Sequence, residues 1–327
     1  MLFSIVVLSY NRPEQIDRIL AKLQSASAGD FNLIIKDDCS PRLAEIEAIV
    51  KSYSGKHNFD VILHENKSNL GYDRNLLDAF NITESEYVFL LSDDDFVEGE
   101  RVFELSQLLS MRKYKLYFTP YKDNETKNRI NIGSYSFKKF HEIIYNSILF
   151  SGLIFDRETV LNLPKNDGFL SSCIYTQVFL TSLIIYTEKK FGEASDNLLF
   201  VGGDGENFFG KNSSAINKSV LENRKEIASN LKYQQFLIKT VREISAKTSP
   251  MVFLMFMREY NLRLVSYLFR LRFSSLNAFY ELKKQMNELK IKSAWYVRVA
   301  IFLMPIVPGK LAGVAYDHFK MIFKKSG

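Results

Sequence analysis

The sequence predicts an α/β fold, a mostly parallel sheet flanked by helices, with a helical region after it. Three observations lead there. Short apolar runs alternate with helix-period segments over the first hundred residues; polar clusters follow the ends of the apolar runs; and after residue 216 the period is helical throughout.

Each element follows in order. Phe3-Ser4-Ile5-Val6-Val7-Leu8 is an apolar run of the kind that fills a strand buried on both faces. Pro13 suits the first turn of a helix whose Ile16, Ile19, Leu20 and Leu23 share one face. Residues 31–35 read as a second strand, and Leu43, Ile46, Ile49 and Val50 mark the next helix. Val61-Ile62-Leu63 is a third strand, residues 76–80 are helical, and Tyr87-Val88-Phe89-Leu90-Leu91 is a fourth strand. Sheets built in this βαβ order bind ligands at the carboxyl ends of their strands. Beyond residue 119 the pattern predicts a polar loop at 122–131, a strand over 148–155, a helix over 174–186 and a closing strand over 198–201. Ser249-Pro250 then has the cap and first-turn residues of a new helix.

Charge divides the chain in the same place. Residues 216–327 hold 20 Lys and Arg against 7 Asp and Glu, a net of +13, whereas 1–215 carry a net of −7. Two domains are therefore expected, 1–215 and 216–327, with different partners. Cys39 and Cys173 lack metal-ligand spacing, and the four histidines form no zinc pattern. The apolar start lacks a basic lead-in, and no apolar run reaches bilayer length, so a cytoplasmic location is expected.

The polar clusters carry the chemistry. Tyr10-Asn11-Arg12-Pro13, Asp37-Asp38-Cys39-Ser40 and Ser92-Asp93-Asp94-Asp95 each follow a predicted strand, and Asn69-Leu70-Gly71-Tyr72-Asp73-Arg74-Asn75 precedes a helix. Adjacent carboxylates at a strand end repel one another unless a cation shares them, and they suit a hard divalent ion, Mg²⁺ or Mn²⁺.

Taken together, in this order and spacing, the four clusters resemble family-two glycosyltransferases of the GT-A, Rossmann-like fold over roughly the first 100 residues. The Leu-Leu-Ser-Asp-Asp-Asp form is also similar to bacterial O-antigen enzymes such as abequosyltransferases. The resemblance implies an inverting, metal-assisted transfer of a hexose-type sugar from a nucleotide diphosphate to a glycan or lipid-linked oligosaccharide, in O-antigen or capsule assembly.

Residue by residue, the resemblance implies that Asp94 holds the metal with Asp95, and that Asp93 faces the nucleotide. Ser92 stands where the family has its first aspartate, which leaves open which carboxylate meets the ribose and which the metal. Asp37 and Asp38 match the base-recognising pair, with helix capping as the structural alternative and Ser40 as the better cap; Cys39 replaces a usual glycine. Tyr10 would wall the base pocket beside Asn11 and Arg12, and Arg74 would meet phosphate or ribose, unless it pairs with Asp73 or Asp78. The family's usual acidic pair for the general base is missing, so Asp167 is the candidate, with Asp156 and Asp204 as rivals. That gap keeps a non-catalytic glycan-binding or scaffold protein as the alternative. A sugar nucleotidyltransferase is disfavoured, because Tyr10-Asn11-Arg12-Pro13 has no glycine.

The basic third mixes aromatic and aliphatic residues with Arg and Lys in helical stretches. One is 251–273, with Arg258, Arg263, Arg270 and Arg272; the other runs through Trp295, Arg298, Ile301, Phe302, Leu303 and Met304 to Lys310. Such helices can lie on an anionic membrane, here the inner face of the cytoplasmic membrane, or pack as a subdomain. Nucleic acid is not an expected partner, since the cations lie among bulky apolar side chains.

Overall fold

A computed structural model describes residues 1–27, 29–122, 135–164, 175–195, 197–200 and 220–325. The described residues divide into two compact units, one within residues 1–204 and one built mainly from the helices after residue 220. The boundary expected at 215/216 falls outside the described residues.

The first unit is built on a seven-stranded sheet of order β3-β2-β1-β4-β8-β6-β9. Strands β1 (Phe3–Ser9), β2 (Phe31–Asp37), β3 (Asp60–Glu65) and β4 (Tyr87–Ser92) are mutually parallel. β1 lies in the middle and is buried on both faces, which explains its unbroken apolar run; its Ser4 hydroxyl meets that of Ser85 at 2.8 Å. Helix α1 (Pro13–Leu23) buries Ile16, Ile19, Leu20 and Leu23, the stripe expected from spacing. α2 (Leu43–Ser52) and α3 (Tyr72–Ile82) complete the repeating pattern. Each fully buried aliphatic or aromatic side chain contributes about 1.5–3 kcal/mol, and the centre of this sheet is filled by them.

After β4 come a short β5 (Phe96–Val97), α4 (Val102–Ser110), β6 (Leu116–Phe118), β7 (Tyr121–Lys122) and α5 (Phe140–Asn146). The strand expected over 148–155 is shorter, β8 (Leu153–Asp156). Ser147 closes α5 by donating its hydroxyl to the Ile143 and Ile144 carbonyls, and Gly152 turns the chain at φ +80° before β8 begins. β8 runs antiparallel to both β4 and β6. α6 (Arg157–Asn162), α7 (Thr176–Glu188), β9 (Gly192–Glu193) and β10 (Leu199–Phe200) follow. β10 does close a sheet, but a separate three-stranded one of order β5-β10-β7.

Gly152 combines a positive φ with close neighbours, so a side chain is poorly tolerated there. A Cβ there would lie 2.6 Å from Leu199 Cδ2 and 2.9 Å from Thr119 Cβ, on a backbone that L-residues rarely adopt. Gly152→Ala is expected to cost about 2–4 kcal/mol, read as a lowered urea midpoint at unchanged slope.

The second unit consists of α8 (Val220–Lys247), α9 (Pro250–Ser274), α10 (Leu276–Glu288), α11 (Trp295–Leu303) and α12 (Gly309–Lys325). Ser249 caps α9 as expected, accepting from the Met251 N–H. Val252, Phe256, Tyr260, Leu264 and Leu268 form a buried ridge at a four-residue spacing along α9. The apolar face of the 251–273 stretch is thus largely spent on packing. Among the described residues no helix is long and apolar enough to cross a membrane.

Candidate active site

Parallel register brings three of the four clusters to one edge. Ser9 pairs with Asp37, and Leu8 with Ser92, so β1, β2 and β4 end side by side. The chain leaves β1 for β2 on one flank, and β4 returns on the other. This is the switch point at which such sheets open a crevice.

The loop after β1 is clamped from both sides. Tyr10 N–H donates to Asp93 Oδ2 at 3.3 Å, and Asn11 N–H donates to Ser40 Oγ at 2.7 Å. Asn11 holds φ +59° and Tyr10 stands 48 % exposed above the edge. Ser40 is not the helix cap expected for it. It donates its hydroxyl to Asp37 Oδ1 and its N–H to Asp37 Oδ2, while α2 starts three residues later, after Arg42. Cys39, a free thiol, sits at φ +62°, which is the physical reason a glycine is favoured at that place. Cys173 lies outside the described residues.

Asp38 holds the second loop. Its Oδ1 accepts from Leu70 N–H at 2.7 Å and Asn66 Nδ2 at 2.8 Å, and its Oδ2 accepts from Gly71 N–H at 3.0 Å. Asn66 also donates to Asn75 and accepts from Lys36 Nζ at 2.6 Å. Lys36 is 0 % exposed and donates to Asp78 Oδ2 at 2.8 Å. Lys36 and Asn66 were missed by sequence reasoning. The available signal was a lysine inside a strand otherwise bound for full burial, where a charge needs a partner.

Asp73 and Asp78 are not the partners of Arg74. Asp73 accepts from the Thr176 hydroxyl and N–H, and burial pushes its carboxyl up to about 6 against those bonds. Asp78 is taken by Lys36, and Arg74 is exposed and makes no ion pair among the described residues.

The acidic turn is held by its backbone. Asp95 N–H donates to the Ser92 carbonyl, Arg18 Nη2 donates to the Asp94 carbonyl at 2.6 Å, and Ser92 N–H donates to Ser151 Oγ. Beyond it, Phe96 stacks on Phe200 with centroids 5.2 Å apart. Asp93 and Asp94 are partly exposed, whereas Asp95 is 1 % exposed. Of the pair expected from sequence to hold a cation, Asp94 with Asp95, the first reaches solvent and the second is enclosed, while Asp93 shares the open side with Asp94. Burial, and next the Asp94 charge, push the Asp93 carboxyl up to about 6, against the pull of Arg12, the Tyr10 N–H and the Ser9 hydroxyl. Two carboxylates in that state suit a shared divalent cation. No group of three or more His, Cys, Asp or Glu gathers among the described residues. Two carboxylates leave the remaining positions of a hard cation to phosphate oxygens and water, the usual arrangement for Mg²⁺.

Of the base candidates, Asp167 and Asp204 lie outside the described residues. Asp156 is at the wrong edge. It pairs with Tyr87, the first residue of β4, so five residues of strand, about 17 Å, separate it from Ser92. It is also engaged, capping α6 through Thr159 and pairing with Lys115 at 3.1 Å. A cavity of 410 Å³ beside α2, lined by Val50, Tyr53, His57 and Phe59, contains none of the motif residues.

A doubly wound sheet with an acidic turn and an exposed tyrosine at its switch point defines an α/β protein with a candidate ligand crevice at that edge. Residues 4–161 match Glycosyl transferase family 2, and that segment is a domain of this family. The chain is 28 % identical to abequosyltransferase RfbV of Salmonella typhimurium over 97 residues, 29 % of this chain and 28 % of the relative. The curated relatives it matches are spanned over only about a third of their length. Mannosyltransferase PcManGT from Pyrobaculum calidifontis, in complex with GDP-Man and Mn²⁺, shares the fold at TM-score 0.56 and 10 % identity, over 99 % of this chain and 83 % of that one. S. aureus TarS 1-349 in complex with UDP-GlcNAc superposes at TM-score 0.52 and 14 % identity, over 90 % and 93 %. The fold is that of GT-A glycosyltransferases.

Proposed function

We propose that the chain is an inverting glycosyltransferase of hexosyltransferase type. It moves a sugar from a nucleotide diphosphate to a glycan, a lipid-linked oligosaccharide in O-antigen or capsule assembly. The observation that supports this most is the convergence of Tyr10, Asp38 and the Asp93–Asp94 pair at one sheet edge. PcManGT, bound to GDP-Man and Mn²⁺, and TarS, bound to UDP-GlcNAc, have the same fold and lend support to a nucleotide-sugar donor.

In this reading each residue has a part. The exposed Tyr10 face stacks on the nucleobase, with Asn11 and Arg12 beside it. Asp37 braces the loop through Ser40, and Asp38 Oδ2, which carries a single N–H bond, accepts from the ring N–H of the base. Asp94 with Asp93 would hold Mg²⁺ or Mn²⁺; when bound, the cation neutralises charge on the diphosphate leaving group. Arg74 contacts phosphate or ribose, and Asp167 takes the proton of the acceptor hydroxyl. The basic helical unit holds the protein on the cytoplasmic face of an anionic membrane, where a lipid-linked acceptor is presented.

A thermal-shift screen of UDP-, GDP-, CDP- and dTDP-sugars, each with and without Mn²⁺, tests the donor. One base should raise the melting point, and Mn²⁺ should enlarge the shift. Asp167→Asn should keep that shift and lose transfer by about a hundredfold. No shift with any donor would remove the reading, and full turnover in Asp167→Asn would pass the base role to Asp204.

A further inference from the structure

Among the described residues, the second unit leaves an apolar surface around α11 uncovered. Along α11 and the turn after it, Trp295, Val299, Phe302, Leu303 and Ile306 recur at intervals of four, three, one and three residues, which puts them on one helical face. Trp295 is 75 % exposed, Phe302 80 % and Ile306 78 %. The opposite side is the packed one, with Val297 and Met304 buried. Leu311 and Val314, at the start of α12, are exposed as well. The Met304 carbonyl accepts from Arg272 Nε, and the Ala294 N–H donates to Asn261 Oδ1 at 2.9 Å, so both ends of α11 are tied to α9. The face is therefore a fixed surface of the unit on which exposed apolar side chains, two of them aromatic, stand together and are not scattered singly.

Its surrounding charge is of one sign. Residues 289–327 hold seven Lys and Arg and a single acid, Asp317. Arg298 and Lys310, both exposed, border the apolar residues. A second copy docking face to face would set like charge against like. An anionic bilayer offers apolar depth and opposite charge together.

We propose that the face formed by Trp295, Val299, Phe302, Leu303 and Ile306 inserts into the interface of an anionic membrane, with Arg298 and Lys310 on the lipid headgroups. This deepens the membrane association proposed above and rests on it. The 251–273 stretch, whose apolar ridge is buried, does not insert.

Trp295 is the sole tryptophan of the chain, so its emission reports on this face alone. The full chain is titrated with vesicles of equal parts phosphatidylglycerol and phosphatidylcholine, with pure phosphatidylcholine as control, and co-sedimentation is measured in parallel. The expected result is emission moving to shorter wavelength with the anionic vesicles only, quenched by lipids brominated on their acyl chains. The double variant Phe302→Glu with Ile306→Glu, at positions too exposed to unsettle the fold, should bind at least about tenfold more weakly. Sedimentation with unchanged Trp295 emission would overturn the assignment of this face while leaving membrane association intact. Neither sedimentation nor an emission change would overturn both. A shift that grows with protein concentration in vesicle-free buffer would assign the face to a second copy instead.

Discussion

Asp94→Asn is expected to fold normally and lose at least about a hundredfold of transfer, because a neutral amide does not hold the charge that balances a departing diphosphate. Asp93→Asn should act in the same direction and separate from it by pH. In the wild type the Asp93 proton competes with the cation, so Mn²⁺ binding should weaken about tenfold per pH unit below about 6 and be flat above it. The metal-free protein carries the opposite signature. The folded pKa lies above the unfolded value, so the folded state binds the extra proton between pH 4 and 6, and stability falls as pH rises through that window. Asp93→Asn should therefore melt higher than wild type at pH 7–8, by about 1–2 kcal/mol, and equal it near pH 4. Calorimetric Mn²⁺ titration and melting curves at three pH values make the measurement. Wild-type transfer and wild-type Mn²⁺ binding in both variants would remove the cation from these carboxylates.

Lys36→Met is expected to cost stability on the scale of Gly152→Ala. The lysine side chain is 0 % exposed and pairs with Asp78, which is itself 33 % exposed. Breaking a buried pair costs 3–5 kcal/mol, and the access of Asp78 to water places this one near the lower end, about 3 kcal/mol. A matched comparison is Arg42→Ala, which removes exposed, solvent-screened pairs with Glu14 and Glu45 and should leave the melting temperature close to that of wild type. Loss of Lys36 also frees Asn66, which helps Asp38 hold the Leu70 and Gly71 N–H groups, so donor binding should weaken along with melting temperature. Equal melting of Lys36→Met and wild type would show that the network does not brace this loop.

β1 and β4 were legible because a parallel strand buried on both faces is predominantly apolar, and β2 and the edge strand β3 because each keeps a short apolar run, Leu33-Ile34-Ile35 and Val61-Ile62-Leu63. The stripe Ile16, Ile19, Leu20 and Leu23 can only be a helix with one buried face. The polar clusters were legible as strand-end residues for the same reason: they interrupt apolar runs where the chain must turn. Less could be read beyond residue 119. There the strands have two to four residues, too few to show a period, and a turn at Gly152 shortened the expected strand.

Which residues stand together, and which face outward, is a matter of long-range register and packing. Sequence alone determined an α/β sheet with acidic, aromatic and amide-rich turns, a helical basic region, and a resemblance carried by the order of those turns. Tertiary structure decided that Ser40 braces Asp37 and does not cap a helix, and that Asp95 is enclosed while Asp93 and Asp94 remain open. It also moved Asp156 to the far edge, because β8 runs antiparallel to β4. Of two basic apolar stretches alike in composition, it buried the ridge of one and left Trp295, Phe302 and Ile306 of the other in solvent. Composition sets how much apolar surface a chain carries; only the neighbours that each face finds determine how much of it is covered.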